Sequence, residues 1–184
     1  MKKILLSEHP RHAWPVEYVN VKNKTVLDLG CGFFGLTHSF KQGKMSWADI
    51  PLPDMISSSE HWLNLGAKKV VGIDTNESDL NCLKEELKEK NVLFYNLCIN
   101  SPEQIKELIV EHGADVVKAD IEGAECHLIQ MKDEDFKLVQ EYYIEAHTSE
   151  LIDMTQDKLI SCGYEIRDCI GHIGGLTVFF AYKK

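Results

Sequence analysis

Directly after the apolar run Thr25-Val26-Leu27-Asp28-Leu29 comes Gly30-Cys31-Gly32-Phe33-Phe34-Gly35, a Gly-x-Gly-x-x-Gly turn. Glycines at this spacing let a strand turn tightly into a helix and keep the backbone bare enough to lie against a ligand. Parallel strands need a crossover, usually helical, so such a turn belongs to a βαβ unit. The rest of the chain repeats the theme. Strands are expected at 69–74, 92–95, 114–119 and 142–146, and helices near 35–40, for about two turns before Gly66, and near 123–130 and 149–161. Asn76 is placed to cap one helix with Asp79 in the capping-box position. Ser101-Pro102-Glu103-Gln104 opens another, which Gly113 stops. The last two runs, 164–168 and 177–182, have only Gly171, Gly174 and Gly175 as punctuation between them and read as an antiparallel hairpin. The expected architecture is one α/β domain over residues 1–184. It is doubly wound, with a mostly parallel seven-stranded sheet, helices on both faces and a C-terminal antiparallel hairpin. Residues 1–23 form an N-terminal segment, and 41–57 an irregular insertion.

Charge and cysteine content narrow the partners. Asp and Glu number 29 against 20 Lys and Arg, a formal charge of −9 with no dense basic field, which argues against nucleic acid. The six cysteines make no Cys-x-x-Cys pair and no zinc spacing, so they read as unpaired thiols in a reducing compartment. The apolar opening Ile4-Leu5-Leu6 stops at Ser7-Glu8, too short for a signal peptide, and no run reaches membrane-spanning length. A cytoplasmic chain without a membrane partner is expected. Asp74, Asn76, Ser78 and Glu85 mimic a calcium loop, but the position that needs glycine is Asp79.

The acidic residues around the glycine turn favour one cofactor. Asp28, two residues before Gly30, would repel a pyrophosphate but suits the cationic methionine end of S-adenosylmethionine. Asp74 closes the second strand, where a carboxylate can accept both ribose hydroxyls. The expected cofactor residues are Asp28, Gly30, Gly32, Gly35, Asp74, Thr75, Asn100 and Asp120. The 41–57 insertion, with Met45 and Trp47 amid Gly43, Pro51 and Pro53, is expected to form a lid over the acceptor pocket.

Lys118-Ala119-Asp120-Ile121-Glu122-Gly123-Ala124-Glu125 resembles the Lys-x-Asp-x-Glu-Gly-x-Glu signature of FkbM-type methyltransferases, and Glu145-Ala146-His147 resembles the Glu-x-His that ends their fifth strand. The glycine turn has the generic class I form. The likeness spans roughly residues 25–147, and the 41–57 insertion departs from the family pattern. The resemblance implies methyl transfer from S-adenosylmethionine to a hydroxyl oxygen of a small molecule or sugar. Strands four and five end beside the reacting centre in such a fold, which nominates His147, Asp120 and Glu145 as the catalytic group. His147 is expected to be the free base, with Asp120 or Glu145 fixing its tautomer. Glu122 and Glu125 are read as carboxylates at a helix start. The same set offers an alternative, a divalent metal site, which is not favoured because an imidazole fits Mg²⁺ poorly. Two other functional readings stay open: an RNA or protein N-methyltransferase, and a non-catalytic subunit that binds the cofactor.

Overall fold

The computed structural model describes residues 19–32, 57–171 and 177–183. Seven strands form one sheet: β1 (Thr25–Leu29), β2 (Lys69–Asp74), β3 (Val92–Asn96), β4 (Val116–Ala119), β5 (Glu141–Ala146), β6 (Tyr164–Gly171) and β7 (Thr177–Lys183). Their order is β3-β2-β1-β4-β5-β7-β6, parallel through β5, with β7 antiparallel to both β5 and β6. The expected doubly wound sheet with a terminal hairpin is the observed one.

Helices cover both faces because alternate residues of the central strands are apolar on both sides. On one face, Leu27, Leu29, Val117, Ala119, Tyr142 and Ile144 join a core with α3 (Pro102–His112), α4 (Glu125–Ile129) and α6 (Ser149–Ser161). On the other, Val26, Val70, Val116, Tyr143 and Phe180 pack with Trp62 of α1 (Ser58–Asn64). Leu80 and Leu83 of α2 (Glu77–Glu86) close that face over Cys31 and Phe94.

Local signals fixed several boundaries. The side chains of Asn76 and Ser101 accept the amides of Asp79 and Gln104, and Gly113 ends α3 at φ +61°. The helix expected near 123 starts instead at Glu125, because Glu122 (φ +52°) and Gly123 (φ +99°) are left-handed and break the helical path. Strand β4 begins at Val116 rather than 114. Asp115 turns its carboxylate onto the Thr25 amide, 2.9 Å away, and so fastens the strand entry. A short helix, α5 (Asp133–Phe136), was not foreseen; its one buried side chain, Phe136, stacks on Tyr142. The five cysteines described (Cys31, Cys82, Cys98, Cys126 and Cys162) are free thiols. No helix among the described residues is long and apolar enough to cross a membrane. Gly35, the helix near 35–40, Gly174, Gly175 and all of the 41–57 insertion except Ser57 lie outside the described residues.

Candidate active site

The strand order reverses between β1 and β4, and in sheets of this kind ligands bind past the carboxyl ends of strands at that switch point. A cleft of about 340 Å³ opens there. Its walls are Gly30 and Gly32 of the turn, Ile73 and Asp74 at the end of β2 with Thr75 and Asn76 beyond it, Leu97–Ile99 after β3, and Asp120, Ile121, Glu122 and Ala124 after β4.

The glycine turn is held from two sides. The Gly30 and Cys31 amides donate to the Ile73 carbonyl at 2.8 and 3.2 Å. Gly30 sits at φ +75°, and a Cβ there would fall 1.7 Å from the Asp120 carbonyl oxygen, so only glycine fits. The Gly32 amide donates to Asp74 Oδ2 at 2.8 Å, and the Asn76 amide to Oδ1 at 2.8 Å. Asp74 therefore ties the turn to the end of β2, and its carboxylate still lines the cleft.

Asp28 lies apart from the cleft lining. Its side chain is fully buried. Oδ2 accepts from Ser58 Oγ (2.7 Å), Ser59 Oγ (3.0 Å) and Trp62 Nε1 (3.2 Å), while Oδ1 lies 3.2 Å from Lys118 Nζ. Asp28 and Lys118 are register partners on the parallel strands β1 and β4, so the two charges face each other across the sheet. Lys118 Nζ also donates to the Gly30 and Leu29 carbonyls at 2.6 and 3.3 Å. The pair is thus a buried strut under the glycine turn. Asn100 also lies apart from the cleft lining. Its amide donates to Gln104 Oε1 at 2.8 Å, and its side chain is exposed as the chain turns into α3. Cys98 and Ile99 line the cleft instead, and no motif in the sequence marked them.

The ends of β4 and β5 bring together the acidic group expected there. His147 Nε2 lies 3.5 Å from Asp120 Oδ1, 3.4 Å from Glu122 Oε1 and 4.0 Å from Glu145 Oε1. On the ring's far side, Nδ1 is 3.1 Å from Glu125 Oε1. Glu125 is itself fixed by the Ile121 and Gly123 amides, at 2.6 and 2.7 Å. Glu125, read in the sequence as a helix-start carboxylate, braces the loop before α4 and lies against the imidazole. That is the place expected of Asp120 or Glu145. Glu122 likewise faces His147 rather than only the helix.

The electrostatics bear on the role expected of His147. Burial lowers its pKa, but Glu125, Asp120 and Glu122 more than offset this and raise it to about 9. At neutral pH the imidazole already carries its second proton, so in this state it is not a free base. Burial first, then the nearby Asp120 charge, lifts Glu145 to about 8, and burial also raises Asp120.

The fold is methyltransferase-like, an α/β sheet with its antiparallel hairpin at the carboxyl end. Among solved structures it is similar to an S-adenosylmethionine-dependent methyltransferase from Mesorhizobium loti (TM-score 0.58, 10% identity, 97% of this chain and 100% of that one). It is similar also to a ribosomal protein L11 methylase from Lactobacillus delbrueckii subsp. bulgaricus (0.55, 13%, 92% and 74%) and a precorrin-6y C5,15-methyltransferase from Geobacter metallireducens (0.54, 14%, 92% and 84%). At these identities the likeness is one of fold. No protein-family model and no curated protein matches the chain.

Proposed function

We propose that this chain is an S-adenosylmethionine-dependent methyltransferase of FkbM type that methylates a hydroxyl oxygen of a small molecule or sugar. One observation carries the cofactor assignment. The cleft beside the glycine turn is walled by three carboxylates, Asp74, Asp120 and Glu122, and by no Lys or Arg among the described residues. An anionic pyrophosphate would be repelled there, whereas a ligand with a sulfonium and an ammonium group is attracted. The residues fit such a ligand in shape as well. Gly30 and Gly32 leave bare backbone, Asp74 can accept ribose hydroxyls, and Ile73, Leu97 and Ile99 supply apolar wall.

When bound, S-adenosylmethionine supplies an electrophilic methyl group. The chain's own part is to orient and to take a proton. With Asp28 committed to Lys118, Asp120 is the buried carboxylate that lines the cleft nearest the turn, and it is placed to meet the ligand's amino group or the acceptor hydroxyl. Direct removal of a hydroxyl proton before methylation is difficult near neutral pH. Once alkylated, the oxygen sheds its proton readily, and a carboxylate such as Asp120 suffices to take it. His147, between Asp120, Glu122 and Glu125, holds these carboxylates in place. The FkbM assignment rests on the Lys118–Glu125 and Glu145–His147 motifs, and the choice of oxygen follows from it.

The test is transfer of tritiated methyl from S-adenosylmethionine to separated small-molecule, RNA and protein fractions. Label in the small-molecule fraction, stable as an ether, is the expected result. Label confined to RNA or protein nitrogen would replace the acceptor assignment, and no label in any fraction would favour a non-catalytic binding subunit.

A further inference from the structure

The donor atoms around His147 have an order that a set of surface carboxylates lacks. Asp120, Glu122 and His147 each present one ligand atom, and these atoms lie within 4.8 Å of one another. Donors bound about 2.1 Å from one ion stand roughly 3–4 Å apart, close to the 3.4 and 3.5 Å separations from Nε2 to Glu122 and Asp120. Glu145 comes independently from β5 and points into the same space. Its Oε1 is 4.0 Å from Nε2, and its buried Oε2 has no hydrogen-bond partner among the described residues. A carboxyl oxygen left so, in a side chain only 3% exposed, lacks the partner that buried polar atoms ordinarily have.

The far side of the imidazole matches as well. A histidine that binds a metal through one ring nitrogen ordinarily gives the other N–H to a carboxylate, which fixes the tautomer and strengthens the ligand. Here Glu125 takes Nδ1 at 3.1 Å and is locked by two backbone amides, which leaves Nε2 as the nitrogen that faces the three carboxylates.

We propose that Asp120, Glu122, Glu145 and His147 Nε2 form a binding site for a first-row divalent transition cation, with Glu125 as the residue that positions the histidine. One imidazole among carboxylates suits Mn²⁺, Fe²⁺, Co²⁺ or Zn²⁺ better than Mg²⁺ or Ca²⁺, which prefer all-oxygen sets. This reverses the preference drawn from sequence, which kept a divalent metal as the less favoured alternative to a proton. The catalytic use of the site rests on the proposed methyl transfer. A cation here would hold the acceptor oxygen and let its proton pass to solvent more easily.

Binding itself needs neither cofactor nor acceptor, so it fails or succeeds separately from that reading. The experiment is a titration of the metal-free chain with Co²⁺, followed by ligand-field absorption. One equivalent should bind saturably, with His147→Ala abolishing the bands and Glu125→Gln weakening binding ~10–100-fold, as changes to residues behind a ligand do. Glu122→Gln, at a half-exposed side chain that no core depends on, should weaken binding by at least ~10-fold and serves if His147→Ala does not fold. Absent bands, bands unchanged in these variants, or a thiolate-to-cobalt charge-transfer band marking cysteine ligation would each overturn the site.

Discussion

Replacing Lys118 with methionine removes one end of a buried ion pair whose members are 2% and 0% exposed and 3.2 Å apart. Methionine keeps most of the volume, so the effect is electrostatic. Asp28 Oδ2 would keep its three donors from Ser58, Ser59 and Trp62, but Oδ1 would lose its cation. Breaking a buried pair from one side costs about 3–5 kcal/mol, because the remaining charge stays in a low-dielectric setting. The three retained donors put this case at the lower end, about 3 kcal/mol. For a chain of this size that lowers Tm by roughly 6–12 °C. Urea denaturation and thermal melts of the wild type, Lys118→Met, Asp28→Leu and the double variant give the coupling directly. The double variant should regain much of the loss, since an apolar pair of similar volume often replaces a buried ion pair at little cost. Lys118 also holds the Gly30 and Leu29 carbonyls, so Lys118→Met should weaken S-adenosylhomocysteine binding even where the protein remains folded. A loss below about 1 kcal/mol, with no coupling in the cycle, would refute the reading of this pair as a strut.

Three further outcomes are expected. Asp74→Ala should weaken S-adenosylhomocysteine binding by about 2 kcal/mol, or ~30-fold, in calorimetry, and unchanged affinity would remove Asp74 from the ribose site. Gly30→Ala should melt well below the wild type and bind no cofactor product, because its Cβ would overlap the Asp120 carbonyl; a wild-type melt would show that the turn can move. His61 is buried in α1, and burial lowers its pKa from 6.5 to about 4. Below pH 6.5 the unfolded chain takes up a proton that the folded chain refuses, so this residue removes up to about 3 kcal/mol as pH falls from 6.5 toward 4. His61→Gln should flatten that part of the stability profile, and identical slopes in the two proteins would contradict it.

The features legible in the sequence were those set by neighbours in the chain. The Asn76 and Ser101 caps and the Gly113 stop depend on residues within four positions, and each is seen as read. The roles of Asp28 and Glu125 depend on pairing across the sheet. Nothing near Asp28 in sequence shows that Lys118, in register on β4, and Ser58, Ser59 and Trp62 on α1 will enclose it. The apolar strand around Asp28 was a usable signal, since a charge fully buried in a strand calls for an equally buried partner. Glu122 and Gly123 hid the loop geometry in another way. A helix-compatible sequence takes two left-handed residues there, which costs about 1–2 kcal/mol at Glu122 and turns its carboxylate toward His147. The surroundings of His147 were hidden for a related reason. Its motif showed a base near a carboxylate, whereas the fold gathers four carboxylates around one ring.

What the acidic cleft beside the glycine turn binds decides between a methyl donor and a dinucleotide. Isothermal titration of the purified chain with S-adenosylhomocysteine and, separately, with NAD tests this directly. The account predicts one equivalent of S-adenosylhomocysteine bound with a Kd on the order of 1 µM, about −8 kcal/mol, and no comparable heat from NAD. Tighter binding of NAD, or no heat from S-adenosylhomocysteine with a folded protein, would contradict it.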